Sequence, residues 1–367
     1  MRLVLKGKFT QLKEQMETAD PTLQAWMPYL TAACKFLLRR SFHHLLYEVQ
    51  VFMRDFFRAA QTCIRFYEGA AGGPVTSYED LYSRLHYLEE AKQHIEAVIA
   101  EKKSPKGTCN TVFAYLRQRS TTSVKSVAEE PSHLTMSLSE LNSHMNTINL
   151  QMEVTSFMHQ CAVDRGGLGL LRATEGNRLP TLFGNGHVRA EVVVQVLLAG
   201  ATILDGFSLA SRIIQDFNLP AARVYVDAGR SLARQYKYSH IEELLRCSGE
   251  TGQVTDKCHD DIILACVSIV AADQSQTKYL EGLIKLLKND INKISAFLMC
   301  GKLKSAYLIA VKGDRVDAIR EIAELAEKTG QSKMVEICSK YLSQYDKRRQ
   351  TLERRTTQRK QGAEYKR

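Results

Sequence analysis

A chain of 367 residues and 41.5 kDa exceeds the length at which a single globular core stops growing, so it divides into domains or grows by stacking. Its apolar share of 44% and charged share of 25% are ordinary for a folded soluble protein. Seven prolines leave room for many uninterrupted helices, and the Val/Ile/Thr-rich alternating runs that mark strands are scarce.

The formal charge of +10 is a nucleic-acid signal only until it is located. From Lys347 to Arg367 stand nine Lys/Arg against two Glu, leaving 41 basic and 38 acidic residues for the rest. The basicity is a tail, not a field over the fold. Nine cysteines, none closer than Cys258 and Cys266, provide no Cys-x-x-Cys pair. A zinc cage and a thioredoxin-type motif are thereby excluded, and the thiols read as reduced residues of a cytoplasmic protein. The N-terminus MRLVLKGKFTQLKEQM lacks the apolar centre of a signal peptide. The most apolar stretch, Val192 to Leu204, is shorter than the roughly 18 residues a membrane span needs.

In chain order, Leu45, Val49, Phe52, Met53, Phe56, Ala60, Ile64 and Tyr67 recur at steps of three and four. This predicts one long amphipathic helix, ended by the loop Gly69-Ala-Ala-Gly-Gly-Pro74. Ser77 and Asp80 form an acidic relative of the capping box, opening a helix that buries Leu81, Leu85, Leu88, Ala91, Ile95 and Val98. KKSPKG (102–107) breaks the pattern. Residues 120–137, rich in Ser, Thr, Lys and Glu, read as a flexible linker. Ser137 and Glu140 make a capping box for a helix reaching about Asp164, stopped by Gly166-Gly167-Leu168-Gly169. After Arg189 the helices become shorter and more regular, and Val192–Leu198 is apolar nearly all round, as a helix between layers must be. Pro220 suits the start of a helix. Asp314 is placed to cap a helix carrying Val316, Ile319, Ile322 and Leu325–Ala326, which Gly330 ends. Ser332 opens the next, with Met334, Cys338, Tyr341, Leu342 and Tyr345 along one face.

A weak repeat supports stacking. Leu232–Ala233 precedes Ile241 and Leu244–Leu245 as Leu325–Ala326 precedes Met334 and Ile337–Cys338. Small alanines let paired helices approach while larger residues fill the groove between repeats. The predicted fold is therefore all-α, an α-solenoid of stacked helical hairpins of tetratricopeptide-like or coat-like kind, with a flexible internal loop and a basic C-terminal tail. Its expected divisions are hairpins over 1–119, the linker 120–137, repeats over 138–345 and the tail 346–367.

Chemistry is sparse. Cys258-His259-Asp260-Asp261 carries the His-Asp doublet of helical metal-dependent phosphohydrolases, but no second ligand pair accompanies it. The simpler reading places Asp260 and Asp261 in the first turn of a helix, where acidic groups favour the dipole. His43 and His44 are adjacent and point to different faces, and His144 and His159 are too far apart for a local site. Gly166–Gly169 and Gly184-Asn185-Gly186 lack the context of phosphate loops and read as turns. There is no nucleophile elbow, zincin signature or dinucleotide fingerprint, so no catalytic residue and no cofactor is assigned. The one functional-looking surface is the tail, through Lys347, Arg348, Arg349, Arg354, Arg355, Arg359 and Lys360. These suit electrostatic contact with an acidic protein partner, anionic lipid headgroups or nucleic acid. With Tyr365 alone for stacking, nucleic acid is the weaker reading.

TSYEDLYSRLHYLEEAKQHIEAVIAEKK (76–103), NLPAARVYVDAGRSLARQYKYSHIEELLRC (218–247) and AYLIAVKGDRVDAIREIAELAEKTGQ (306–331) resemble the C-terminal region of the spastizin family of FYVE-zinc-finger proteins. The resemblance implies an α-helical solenoid and, as partners, spatacsin and the fifth adaptor-protein complex. It also implies roles in endosome–lysosome traffic, autophagic lysosome reformation and cytokinesis, at centrosome, midbody and late endosome or lysosome surface. The Cys-x-x-Cys knots and Arg/His motif of a FYVE finger are not in this sequence. Neither zinc nor phosphatidylinositol 3-phosphate binding is therefore carried over. The uncapped amphipathic start is what a fragment or short isoform of a longer solenoid would present. The expectation is a non-enzymatic scaffold, with a vesicle coat or tethering subunit as its neighbour in kind. Readings of another class are a hydrolase using His259 and Asp260, or nucleic-acid binding by the tail.

Overall fold

The computed structural model describes residues 8–69, 77–103, 136–164, 179–250, 252, 255–272 and 277–364, with backbone alone for 277–278 and 352–364. Every regular element among them is an α-helix. The described residues group into two compact units, one of residues up to 201 with 208–217, the other of 202–207 with 218 onward. The predicted linker, apart from Met136 and Ser137, and Gly166–Gly169 lie outside the described residues, as does the loop 70–76.

The first unit contains α1 (Phe9–Ala19), α2 (Met27–Arg39), α3 (His43–Phe52), α4 (Phe56–Tyr67), α5 (Tyr78–Ser83), α6 (Leu85–Lys103), α7 (Leu138–Asp164) and α8 (Gly186–Ala199). Phe9, Met27, Leu30, Leu37, Leu46, Val49 and Met53 close one core across α1–α3. The apolar run of α8 behaves as predicted, with Val192, Val193, Val196 and Leu197 all buried. Both capping boxes form, Ser77 with Asp80 and Ser137 with Glu140. A polar network fixes the segment before α8. The Gln151 Oε1 accepts from the Leu182 N–H at 2.6 Å, and the Gln151 Nε2 donates to the Tyr67 hydroxyl at 3.0 Å. All three residues are buried, so each polar atom needs its partner.

The long helix expected from Leu45 to Tyr67 is two helices. Arg54 takes φ 57° and Asp55, buried at 1% exposure, starts α4 by accepting from the Arg58 N–H and pairing with its guanidinium at 3.0 Å. The apolar spacing continues unbroken through this corner. Likewise α5 stops at Ser83 and α6 restarts at Leu85, leaving Leu85 half-buried.

The second unit contains α10 (Ala221–Arg234), α11 (Tyr238–Glu250), α12 (Asp256–Val270), α13 (Thr277–Leu286), α14 (Asp290–Met299), α15 (Leu303–Lys312), α16 (Val316–Lys328) and α17 (Ser332–Glu364). Helix α9 (Ile203–Asp216) gives its first residues to this unit and the rest to the first. Neighbours in sequence pack together, and α10 with α12, α12 with α14, and α15 with α17 also touch. This is the pattern of a stack of hairpins. Alanines sit at the close approaches: Ala306, Ala310 and Ala326 are fully buried beside Ile294, Leu303, Ile319, Ile322 and Met334. Gly229 does the same for α10 against α12; a Cβ there would lie 3.0 Å from Ile262 Cγ2 and 3.1 Å from Cys266 Sγ.

One turn recurs in both units. At 40–42, 53–55, 235–237, 300–302, 313–315 and 329–331, the central residue has φ between 50° and 71°. The last residue's N–H donates to the carbonyl five positions back at 2.8–3.0 Å, and the central N–H to the carbonyl three back. This is the Schellman arrangement, which satisfies the orphan carbonyls of the ending helix while reversing the chain in three residues. Gly301 and Gly330 occupy the left-handed position twice; Ser41, Arg54, Tyr236 and Asp314 occupy it elsewhere. Asp314 is therefore not the predicted cap of α16. It ends α15, and its carboxylate accepts from the Tyr341 hydroxyl at 2.9 Å, while Arg315 stands at the N-cap without a side-chain bond.

Candidate functional site

The His259–Asp260 doublet resolves into architecture. Helix α12 begins at Asp256, capped by the Thr255 side chain, so Asp260 lies past the first turn where the sequence placed it. Its side chain is buried, and its carboxylate accepts from the Lys288 N–H, the Asn289 N–H and the Asn292 side chain, each at 2.9 Å. Asp260 thus ties α12 to the turn opening α14. Burial raises its pKa, but the hydrogen bonds from Lys288, Asn292 and Asn289, with the nearby His259 ring, outweigh that and hold the carboxyl below the ordinary aspartate range. The His259 Nδ1 stands 3.5 Å from Asp260 Oδ1, a charge contact when the ring is protonated but long for a hydrogen bond. Both oxygens being engaged by N–H donors, the Asp260 carboxylate joins α12 to the turn opening α14, while the buried His259 Nδ1 has no hydrogen-bond partner among the described residues. Among the described residues no group of three His, Cys, Asp or Glu converges.

The other singled-out groups have equally local duties. His44 stacks on Phe66 at 4.7 Å, and His159 on Tyr82 at 3.9 Å. Asn185 caps α8 by accepting from the His187 and Val188 N–H groups. Burial pushes the Cys34, Cys63 and Cys266 thiols up to about 12, so they stay protonated and inert at neutral pH.

The tail is helical. Helix α17 runs unbroken to Glu364, and Lys347, Arg348 and Arg349 are exposed on it. Arg354, Arg355, Arg359 and Lys360 belong to the same helix, but their side chains lie outside the described residues.

What the sequence did not reveal is a groove of about 700 Å³ between α15 and the start of α17. Lys304, Tyr307 and Leu308 line one side; Lys333, Met334 and Ile337 line the other, with Gly330–Ser332 at the end. Leu308 is 60% exposed and Ile337 43%. On each wall a lysine precedes the exposed aliphatic by four residues, so both share that helix's outward face. Neither lysine has an ion-pair partner among the described residues. Ile337, expected to share the buried face with Cys338, lies instead at the edge of that face, while Cys338 is fully buried.

Residues 220–343 match the family described as ZFYVE26-like, TPR repeats. Zinc finger FYVE domain-containing protein 26 of Homo sapiens, and that of Rattus norvegicus, are 38% identical over 92% of this chain. A Dictyostelium discoideum protein is 24% identical over 94% of it. The chain spans 12% of the length of the two mammalian relatives. No solved structure matches. Among the described residues, no helix is long and apolar enough to cross a membrane. The described residues form an all-α helical-repeat solenoid, residues 220–343 match the ZFYVE26-like TPR repeats, and the chain is similar over 92% of its length to one segment of zinc finger FYVE domain-containing protein 26, the spastizin family.

Proposed function

We propose that this chain is a non-catalytic, partner-binding segment of a helical-repeat scaffold that works in endosome–lysosome traffic. The observation that carries the reading is the similarity to zinc finger FYVE domain-containing protein 26 over 92% of the chain, joined to the repeat match over 220–343. Stacked helical hairpins present long side-chain surfaces, and their usual work is holding proteins. On this reading the partners are spatacsin and the fifth adaptor-protein complex, and autophagic lysosome reformation and cytokinesis depend on them. The cytoplasmic face of late endosomes or lysosomes, the centrosome and the midbody are its stations. The tail around Lys347–Arg349 adds electrostatic attraction to an acidic partner surface.

Affinity capture of the intact chain from cells, read by mass spectrometry, tests this. Recovery of spatacsin and subunits of the fifth adaptor complex is the expected result. Recovery of a different coat or tethering assembly would move the protein to that machinery, and recovery of neither would remove the traffic reading.

A further inference from the structure

We propose that the groove between α15 and α17 seats an acidic amphipathic helix from a partner protein; this rests on the protein-binding reading above and names where and how it is done. Three observations converge. First, Leu308 and Ile337 are large aliphatics left exposed on two helices that line one concavity, with Tyr307 and Met334 beneath them. Singly exposed apolar residues need no explanation, but two meeting in one groove are the mark of a contact surface. Second, among the described residues the charged ones lining it are Lys304 and Lys333, both exposed. Third, the groove ends at the first turn of α17, whose helix dipole adds positive potential beside Lys333. An apolar floor with cations on both walls selects a partner carrying apolar anchors flanked by carboxylates.

The groove's shape selects a helix. Its walls are two helices that touch across the intervening α16, and such a trough receives a further helix whose i, i+3, i+4 and i+7 side chains point into it. Leu308 and Ile337 would pack against those anchors, while Lys304 and Lys333 reach along its sides to Glu or Asp.

The test uses the intact chain and a synthetic amphipathic peptide of about four turns, with Leu at the i, i+3, i+4 and i+7 positions and Glu on its flanks. A twin peptide replaces each Glu by Lys. Fluorescence anisotropy is expected to show the acidic peptide binding at least about tenfold more tightly than the twin. Leu308→Glu or Ile337→Glu should each weaken the acidic peptide about tenfold or more. The double variant Lys304→Glu, Lys333→Glu should reverse the preference toward the twin. All four positions are exposed, and an unchanged circular-dichroism melt confirms that folding is intact. Equal binding of both peptides, or binding of neither up to about millimolar concentration, overturns the proposal. Loss of binding on truncation after Tyr345, with groove variants unaffected, overturns it in favour of the tail. A concentration-dependent dimer abolished by Leu308→Glu overturns it in favour of a second copy. If a captured protein partner is held equally by wild type and by Leu308→Glu, the groove assignment fails while the scaffold reading stands.

Discussion

Asp260 reaches across 28 residues of chain to accept the Lys288 N–H at 2.9 Å, with the Asn289 N–H on its other oxygen. A buried carboxylate thus serves as the nail of a turn. Asp260→Ala would strand those donors, and a loss of about 3 kcal/mol follows from leaving charge-assisted bonds unmade. Urea unfolding, with hydrogen exchange at the Lys288 and Asn289 amides, reads it. His259→Ala should cost less than about 1 kcal/mol through this contact, since at 3.5 Å it is long for a hydrogen bond. Because the folded carboxyl titrates below its ordinary range, its stabilisation is present above pH of about 3.9 and is lost as pH falls through the lower folded value.

The left-handed turn residues offer a gain. Ser41 is exposed and holds φ 57° without glycine's freedom. Ser41→Gly should raise stability by about 0.5–1 kcal/mol, and Gly330→Ala, at φ 71°, should lower it by about 1 kcal/mol. Thermal melts of the two variants should move in opposite directions.

The α10–α12 crossing is set by Gly229, whose absent side chain leaves room for Ile262 and Cys266. Gly229→Val would overpack it, costing about 2 kcal/mol. A midpoint unchanged in urea would mean that the two helices separate freely there.

Histidines make the first unit sensitive to mild acid. Burial lowers the pKa of His43, His94 and His144, with Arg65 and His44 adding to the effect at His43 and Glu90 and Glu140 opposing it at His94 and His144. His94 hydrogen-bonds the Tyr47 hydroxyl at 3.0 Å and stacks on Phe56. Such groups protonate first in the unfolded chain. The unit therefore keeps full stability above pH of about 6.5 and loses it as pH falls from there toward the lower folded values. Urea midpoints at neutral and mildly acid pH should differ, and His94→Gln should shrink the difference.

What was legible in the sequence was local. The capping boxes at Ser77 and Ser137 involve residues three apart and formed as expected, and most of the apolar run of α8 is buried, with Val194 and Leu198 half-buried. What was hidden depends on conformation or distance. Arg54 turns the chain in a left-handed conformation without a glycine to announce it, so one stripe concealed two helices. Asp314 resembled a cap, yet its positive φ and its bond to Tyr341 assign it to the preceding turn. Asp260 needed its distant partners to be understood. The groove is assembled from 304–308 and 330–337, and Leu308 and Ile337 meet in one concavity only once α15 and α17 lie side by side.

Direct titration of purified spatacsin into the purified intact chain, followed by calorimetry near physiological salt, tests the partner-binding reading most directly. Saturable binding that survives truncation after Tyr345 and weakens with Leu308→Glu is the predicted result. Heat that vanishes with the tail, or no binding of spatacsin at all, would contradict it.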